Sequence, residues 1–401
     1  MYPDLSASVA DLVPLPHCDG PKLKPFDFQG PQEIEFLDYI DEGMHAHVFK
    51  IRILGQIYAL KLFRFVYEGD WLGPEDVDPD DLEAMSLLYN YSEPFSCECR
   101  AFGRIQEAGH DELAVRCFGY VLLDEEHERA MMNQFSHLNL RFDGNIDFAG
   151  GEDLRSRFVV KDSRPPPIRG IVKEFGQGYQ DLRTRDARRV LPDVIGLHQL
   201  GIVQIDVAHR QLISGKLCDF STALTILHFA TTPELNPRLT PEWISAIEFE
   251  TFQFSINDYW EFDDMVRIWN AEHESKKNKI SVYAFPNGSG CQIKYNLRST
   301  PSRERVYSLV DPRLYNWRAS DTSPRKRAKR VLDGKTKPSQ KTRGTRGASS
   351  IARRLPLNTK PPSWYLNCNN EVAAELRRTT SFSNLLKWEV RDGLIFPLKA
   401  R

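Results

Sequence analysis

Four side chains able to do chemistry together stand far apart in this 401-residue sequence: Lys61, Glu98, Asp206 and Asp219. The two aspartates flank Gln211-Leu212-Ile213, Ser214-Gly215 and Lys216-Leu217-Cys218, which has the composition of two short arms around a tight turn. Such a hairpin would fix the separation of the carboxylates, so that one could take a proton from a hydroxyl while the other held a hard cation. Taken singly, each residue also fits an ordinary role. Lys61 could be a strand-end lysine in solvent, Glu98 half of a surface i,i+4 pair, and either aspartate a turn former.

The elements needed to position these groups can be read from hydrophobic periodicity. Residues 1–33 are rich in proline and short polar residues and read as an extended lead-in. Residues 34–176 read as a β-rich region with a helix and a polar insertion. Glu35–Ile40, Val48–Ile53 and Ile57–Phe63 have the β-branched and aromatic content of three strands, with a turn at Leu54-Gly55-Gln56. Residues 94–108 read as a helix with Phe95, Cys99, Phe102 and Ile105 on one face. Ala114–Leu123 and Ile168–Phe175 read as strands, separated by a polar insertion over 124–167. Residues 177–317 begin with a helix over 184–200, which Pro192 is expected to kink, and continue through the aspartate-bearing hairpin. The predicted fold class is α+β.

The order of these pieces resembles the catalytic core of protein kinases, which implies a two-lobed kinase-like fold with degenerate motifs. Tyr58-Ala59-Leu60-Lys61 resembles the kinase strand whose lysine grips nucleotide phosphates, and Glu98 falls where a helix glutamate pairs with that lysine. Asp206 then occupies the proton-accepting position, Asp219-Phe220-Ser221 the metal-binding aspartate motif, and Gln211 the second metal-ligand position. Gly43 and Val48 fall in the glycine-rich loop register, Ala59 and Lys61 on the strand after it, and Glu174 at the hinge that would hold adenine; Lys173 then sits one residue before the hinge. Asp258-Tyr259-Trp260 resembles the Asp-x-Trp of a later kinase helix. The implied cofactors are ATP with Mg or Mn, bound weakly. Asp41 and Ala46 replace two loop glycines, Ile205 and Ala208 replace the catalytic-loop arginine and lysine, and Gln211 replaces an asparagine. These losses favour a pseudoenzyme or scaffold. An active atypical protein kinase, or a small-molecule kinase of the choline and aminoglycoside type, is the alternative.

A second resemblance is longer. The stretches Phe36–Gly43, Tyr58–Phe63, Glu98–Gly109 and Thr232–Trp243 are similar to filamentous-fungal proteins of the Fta-two family, subunits of the Sim-four kinetochore complex. That resemblance implies a nuclear, centromere-associated protein whose partners are the protein subunits of a kinetochore complex.

The net charge of −2 conceals an uneven distribution. Between Arg318 and Arg354 there are 13 basic and 2 acidic residues, so the remainder carries a compensating negative excess. Residues 318–360 read as a disordered basic linker, with Pro324–Arg330 as a signal for a nuclear import receptor or a DNA contact. Residues 361–401 regain aromatics and read as a C-terminal docking segment. No apolar run approaches the roughly 20 residues that span a bilayer, so no membrane association is expected. The seven cysteines are scattered and suggest reduced thiols without a structural metal.

Overall fold

A computed structural model describes residues 20–67, 71, 89–144, 154–155, 166–176, 178, 182–233, 241–273, 279–285, 309–317, 354–364, 387–391 and 394–398. The import signal expected at 324–330 lies outside them.

Five antiparallel strands form one sheet in the order β1-β2-β3-β5-β4: β1 Glu35–Glu42, β2 Ala46–Ile53, β3 Gln56–Phe63, β4 Cys117–Leu122 and β5 Arg169–Glu174. Alternation along the strands gives the sheet two faces. Phe49, Ile51, Leu60, Leu62 and Val172 point one way into a buried cluster with Phe36 and Phe135. Lys61 and Ile171 are paired neighbours on the opposite face, as are Ala59 and Lys173.

Helix α1, Pro94–Ala108, crosses that second face. Its start is set by Glu93, whose carboxylate accepts from Ser96 N, and by proline in the first turn; Gly109 ends it in the left-handed conformation, φ 70°. The polar insertion over 124–167 holds a helix for which no expectation was made. It contains α2, Glu125–Gln134, capped by Asp124 and carrying three acidic residues in its first turn, where they complement the helix dipole. Met131 and Phe135 at its end cover the outer sheet face.

Helix α3, Thr184–Gln199, runs through Pro192 without a break in helical structure. Short strands follow: β6 Ile202–Val203, β7 Leu212–Ile213, β8 Lys216–Leu217 and β9 Leu224–Thr225. The β7–β8 pair is the expected hairpin, with Ser214 and Gly215 both at positive φ in its turn. Helix α4, Pro241–Glu272, packs against α3 and β6. The core beneath the sheet joins α1, α3, the hairpin and α4 through Phe102, Val194, Leu197, Phe220 and Phe262. Residues 354–364 lie across this body: Leu355 N donates to Ala108 O, Asn358 N to Gln199 Oε1, and Trp364 packs on Phe252. A final hairpin pairs β10, Lys387–Arg391, with β11, Leu394–Leu398.

Candidate functional site

Lys61, Glu98 and Asp219 meet, although they lie on three separate elements. Lys61 Nζ is 2.8 Å from Glu98 Oε2 and 2.6 Å from Asp219 Oδ1. Neither the solvated strand-end lysine nor the surface helix pair holds: Lys61 is 5% exposed and Glu98 fully buried. Ionised groups so deep persist only when paired. Burial alone would strip the Lys61 proton, but Asp219 and Glu98 outweigh it and keep the ammonium above the ordinary lysine range. Burial likewise opposes charge on Asp219. That side chain keeps 26% of its surface accessible, so the burial cost is partial, and Lys61, Lys173 and the Ser221 amide hold the carboxyl well below its usual range.

Lys173 completes the cluster. Its Nζ is 2.7 Å from Glu98 Oε1 and 2.8 Å from the Cys218 carbonyl. Each Glu98 oxygen thus faces one lysine. Two lysines and two carboxylates balance, so the cluster carries no net charge.

Asp206 stands apart from this cluster. Its Oδ1 accepts from Arg210 at 2.6 Å and its Oδ2 from Gln211 Nε2 at 2.5 Å. Gln211 therefore turns its amide N–H group to Asp206, which leaves its carbonyl oxygen as the only atom it could offer a metal. The loop bearing Asp206 is held from below by Asp258, fully buried on α4. Its carboxylate accepts from Gln204 N and Ile205 N, both at 2.7 Å, and lies 2.8 Å from His198 Nε2. Ile205 takes a positive φ of 68° there. Phe220 is fully buried against Phe102, one helical turn after Glu98.

The cofactor-binding candidates fall in three places. Val48 pairs with Lys61 across β2 and β3, and Ala59 pairs with Lys173; Val48 and Ala59 remain partly exposed. Gly43 sits in the β1–β2 connection, its N–H donating to Ala46 O. His45 in the same connection is 3.2 Å from Ser221 Oγ through Nδ1, which ties the loop to the residue after Phe220. Glu174 ends β5 with an exposed side chain, and its N–H donates to Arg116 O. For a hard cation, the donors on hand are oxygens: Asp219 Oδ2 and Gln211 Oε1, the types that Mg²⁺ and Mn²⁺ prefer. Among the described residues no group of three or more His, Cys, Asp or Glu could hold a metal.

Two arginines on α1 were not anticipated as functional. Arg100 donates to the Leu227 and Thr225 carbonyls, Arg104 to Leu200 O at 2.9 Å and to Ile226 O. Their i,i+4 spacing was visible, but the carbonyls they seek lie more than 90 residues away.

Fold and site together define an α+β protein whose five-stranded antiparallel sheet and crossing helix enclose a buried, charge-balanced cluster of two lysines and two carboxylates. The family model described as kinetochore Sim4 complex subunit FTA2 matches residues 12–224, and the chain belongs to that family. Membership sets it among subunits of a kinetochore assembly and implies a nuclear, centromeric setting. No curated protein matches the chain. Among the described residues no helix is long and apolar enough to cross a membrane.

Proposed function

We propose that this kinetochore-family subunit is a kinase-like pseudoenzyme: a scaffold that keeps a weak, metal-dependent affinity for ATP. The observation that carries the reading is Lys61 bridging Glu98 and Asp219, the ion-pair arrangement that a nucleotide kinase needs around the phosphates. Asp258 beneath the Asp206 loop and the Phe102–Phe220 contact support it, because both brace the same elements that would move in phosphoryl transfer.

The losses support inactivity. Each Asp206 oxygen already accepts a hydrogen bond, from Arg210 and from Gln211, and these donors stabilise the carboxylate and weaken it as a base toward an acceptor hydroxyl. Ala208 supplies no cation to a transferring phosphoryl group, an electrostatic contribution of about 3 kcal/mol or more to the barrier. The β1–β2 connection keeps Gly43 but lacks two of the three glycines that let backbone N–H groups approach phosphate oxygens. Asp219 and Gln211 would hold Mg²⁺ or Mn²⁺, and the ion would neutralise phosphate charge.

A thermal-shift titration with ATP, with and without Mg²⁺ or Mn²⁺, tests this. The wild type should show a shift of a few degrees that requires metal and saturates only at high-micromolar to millimolar nucleotide. Asp219→Asn should abolish the metal-dependent part and Asp206→Asn should leave it. No shift at saturating ATP and metal would leave a scaffold without a nucleotide site. Phosphorylation of an acceptor at ordinary kinase rates, stopped by Asp206→Asn, would replace the pseudoenzyme with the active alternative.

A further inference from the structure

An open groove of about 380 Å³ runs along the C-terminal third of α4, between that helix and the loop carrying Asp206. Its helical wall follows from spacing. Glu261, Asp264, Met265, Ile268, Trp269 and Glu272 stand at i, i+3, i+4, i+7, i+8 and i+11, which is one face of a helix. Met265 and Trp269 are buried and form the floor. Trp269 is fixed there by His273, stacked on it at 3.7 Å, and by an edge-to-face contact with His209. Ile268 is 53% exposed, and Trp260 keeps part of its ring accessible. The apolar floor therefore continues to the surface inside a rim of carboxylates, which is a shape suited to a partner.

The charges around this groove do not balance. Asp206 pairs with Arg210 at 2.6 Å, and Asp264 pairs with Arg267. Glu261 and Glu272 make no salt bridge among the described residues. Glu261 is tied instead to neutral donors: Oε2 accepts from Val207 N at 2.8 Å and Oε1 from Asn257 Nδ2 at 2.7 Å. Burial, joined by the charges of Asp258 and Asp206, outweighs those donors and pushes its carboxyl up to about 7. A half-buried carboxylate without a cation, in a groove whose own Arg210 is engaged by Asp206, is completed by a positive ligand. Glu261 and Glu272 are three helical turns apart, about 16 Å along the axis. An extended strand covers that distance in about five residues, and its first, third and fifth side chains fall on one side. Cations at the two ends would meet the two carboxylates, and an apolar residue between them would lie on Met265 and Ile268. Arginine suits the ends, because its guanidinium forks onto a carboxylate and packs on an indole such as Trp260.

We propose that this groove docks an extended segment of a partner protein with arginine, an apolar residue and arginine at alternate positions, the arginines on Glu261 and Glu272 and the apolar side chain on Met265 and Ile268. The family is one of complex subunits, which makes a partner protein the source of the segment. The site goes beyond the nucleotide reading and does not rest on it.

The test uses the full chain with ¹⁵N-labelled tryptophan, in which Trp260→Phe identifies one of the seven indole N–H signals. The probe is the capped peptide Arg-Ser-Leu-Ser-Arg. Its control carries citrulline, which keeps the shape without the charge, in place of both arginines. The arginine peptide should move the Trp260 signal saturably, and the citrulline peptide should bind at least about tenfold more weakly. Glu272→Gln, at an exposed position, should weaken the arginine peptide about threefold and leave the citrulline peptide unaffected. Ile268→Ser should weaken both peptides. The anisotropy of a fluorescein-labelled peptide measures the same affinities without the Trp260 variant. Three results would overturn the proposal: no saturable response, equal affinity for the two peptides, or an affinity unchanged by Glu272→Gln. A peptide that binds only after the lysines and arginines between 318 and 353 are changed to glutamine would assign the groove to this chain's own basic segment, and would overturn the partner segment as well. Failure of the ATP titration would remove the nucleotide reading and leave these peptide results as they stand.

Discussion

Helix α1 buries charge in two ways within two turns. At Glu98 the buried charges meet opposite charges: Lys61 on one carboxylate oxygen and Lys173 on the other. At Arg100 and Arg104 the buried cations meet backbone carbonyls of the segments after α3 and β9. The difference lies in what a ligand could change. The ion cluster opens through the partly accessible Asp219, so a metal or phosphate could join it and redistribute its charge. The arginines close on fixed carbonyl dipoles, and Arg104 stacks over Tyr315 at 3.9 Å. They hold α1 to the body below it, and burial pushes the Arg104 pKa down to about 10 without neutralising it at physiological pH. One region is suited to respond to a ligand and the other to resist displacement.

Replacing Glu98 with glutamine breaks the first region most severely. Two lysines would then share one carboxylate, leaving an uncompensated buried cation. The expected loss is about 3–5 kcal/mol, read from the midpoint of urea unfolding. A loss below about 1 kcal/mol would mean that the lysines reach solvent and that the cluster is not closed. Arg104→Met keeps the side-chain volume but leaves the Leu200 and Ile226 carbonyls unpaired. The expected loss is about 2–3 kcal/mol. It should leave any nucleotide-dependent melting shift intact, whereas Glu98→Gln should remove it. Equal effects of the two variants on nucleotide response would erase the distinction between the regions.

How far the sequence revealed this arrangement depended on whether the signal was local. The three strands around Gln56, the helix from Pro94 and the β7–β8 hairpin were legible because alternation, a proline start and a Ser-Gly turn are encoded in neighbouring residues. Lys61, Glu98 and Asp219 were legible because their order resembled a known pattern. The role of Lys173 in the cluster escaped notice, although alternation through Ile171 and Lys173 puts it on the face of Lys61. Without the crossing helix in view, a lysine in a strand reads as an oddity. Helix α2 was hidden by its polar composition. Asp124 followed by Glu125, Glu126 and Glu128 was the available signal, a cap and an acidic first turn. Arg100 and Arg104 were beyond reach, since loop carbonyls far along the chain decide that they are buried.

pH separates two buried carboxyls that share a residue type. Asp219 is held low by cations, so its contribution is complete above the unfolded value near 3.8 and disappears as pH falls below it. Asp193 on α3 goes the other way. Burial, only partly offset by Arg189 at 3.9 Å and by Lys216, pushes its pKa up to about 7. A carboxyl that binds its proton more tightly when folded favours folding below pH 3.8, and that contribution is lost as pH climbs towards 7. Asp193→Asn should therefore be neutral near pH 4 and stabilising, on the order of 1–2 kcal/mol, at pH 8. Melting curves across that range measure it. A destabilised variant at pH 8 would show that the Arg189 pair outweighs burial.

The smallest expected effect concerns a cation in a third setting. Arg354 begins the strap over α1, paired with Glu112 and 3.3 Å from His110 Nδ1. Burial pushes the Glu112 carboxyl up, but His110, the Glu112 amide and Arg354 together draw it below its usual range. Both members of the pair are open to water, with side chains 63% and 47% exposed, so solvent and salt screen most of their attraction. The strap has stronger ties nearby. Leu355 N donates to Ala108 O at 2.9 Å, His110 Nε2 lies 2.6 Å from Leu355 O, and Trp364 packs edge-on to Phe252. Arg354→Ala should therefore cost no more than about 0.5 kcal/mol, and about 0.5 M salt should erase the difference from wild type. Trp364→Ala, which removes the aromatic anchor at the other end, should cost several times as much. If Arg354→Ala proved the more damaging of the two, charge at the edge of the basic segment, rather than aromatic packing, would be what holds the strap to the body.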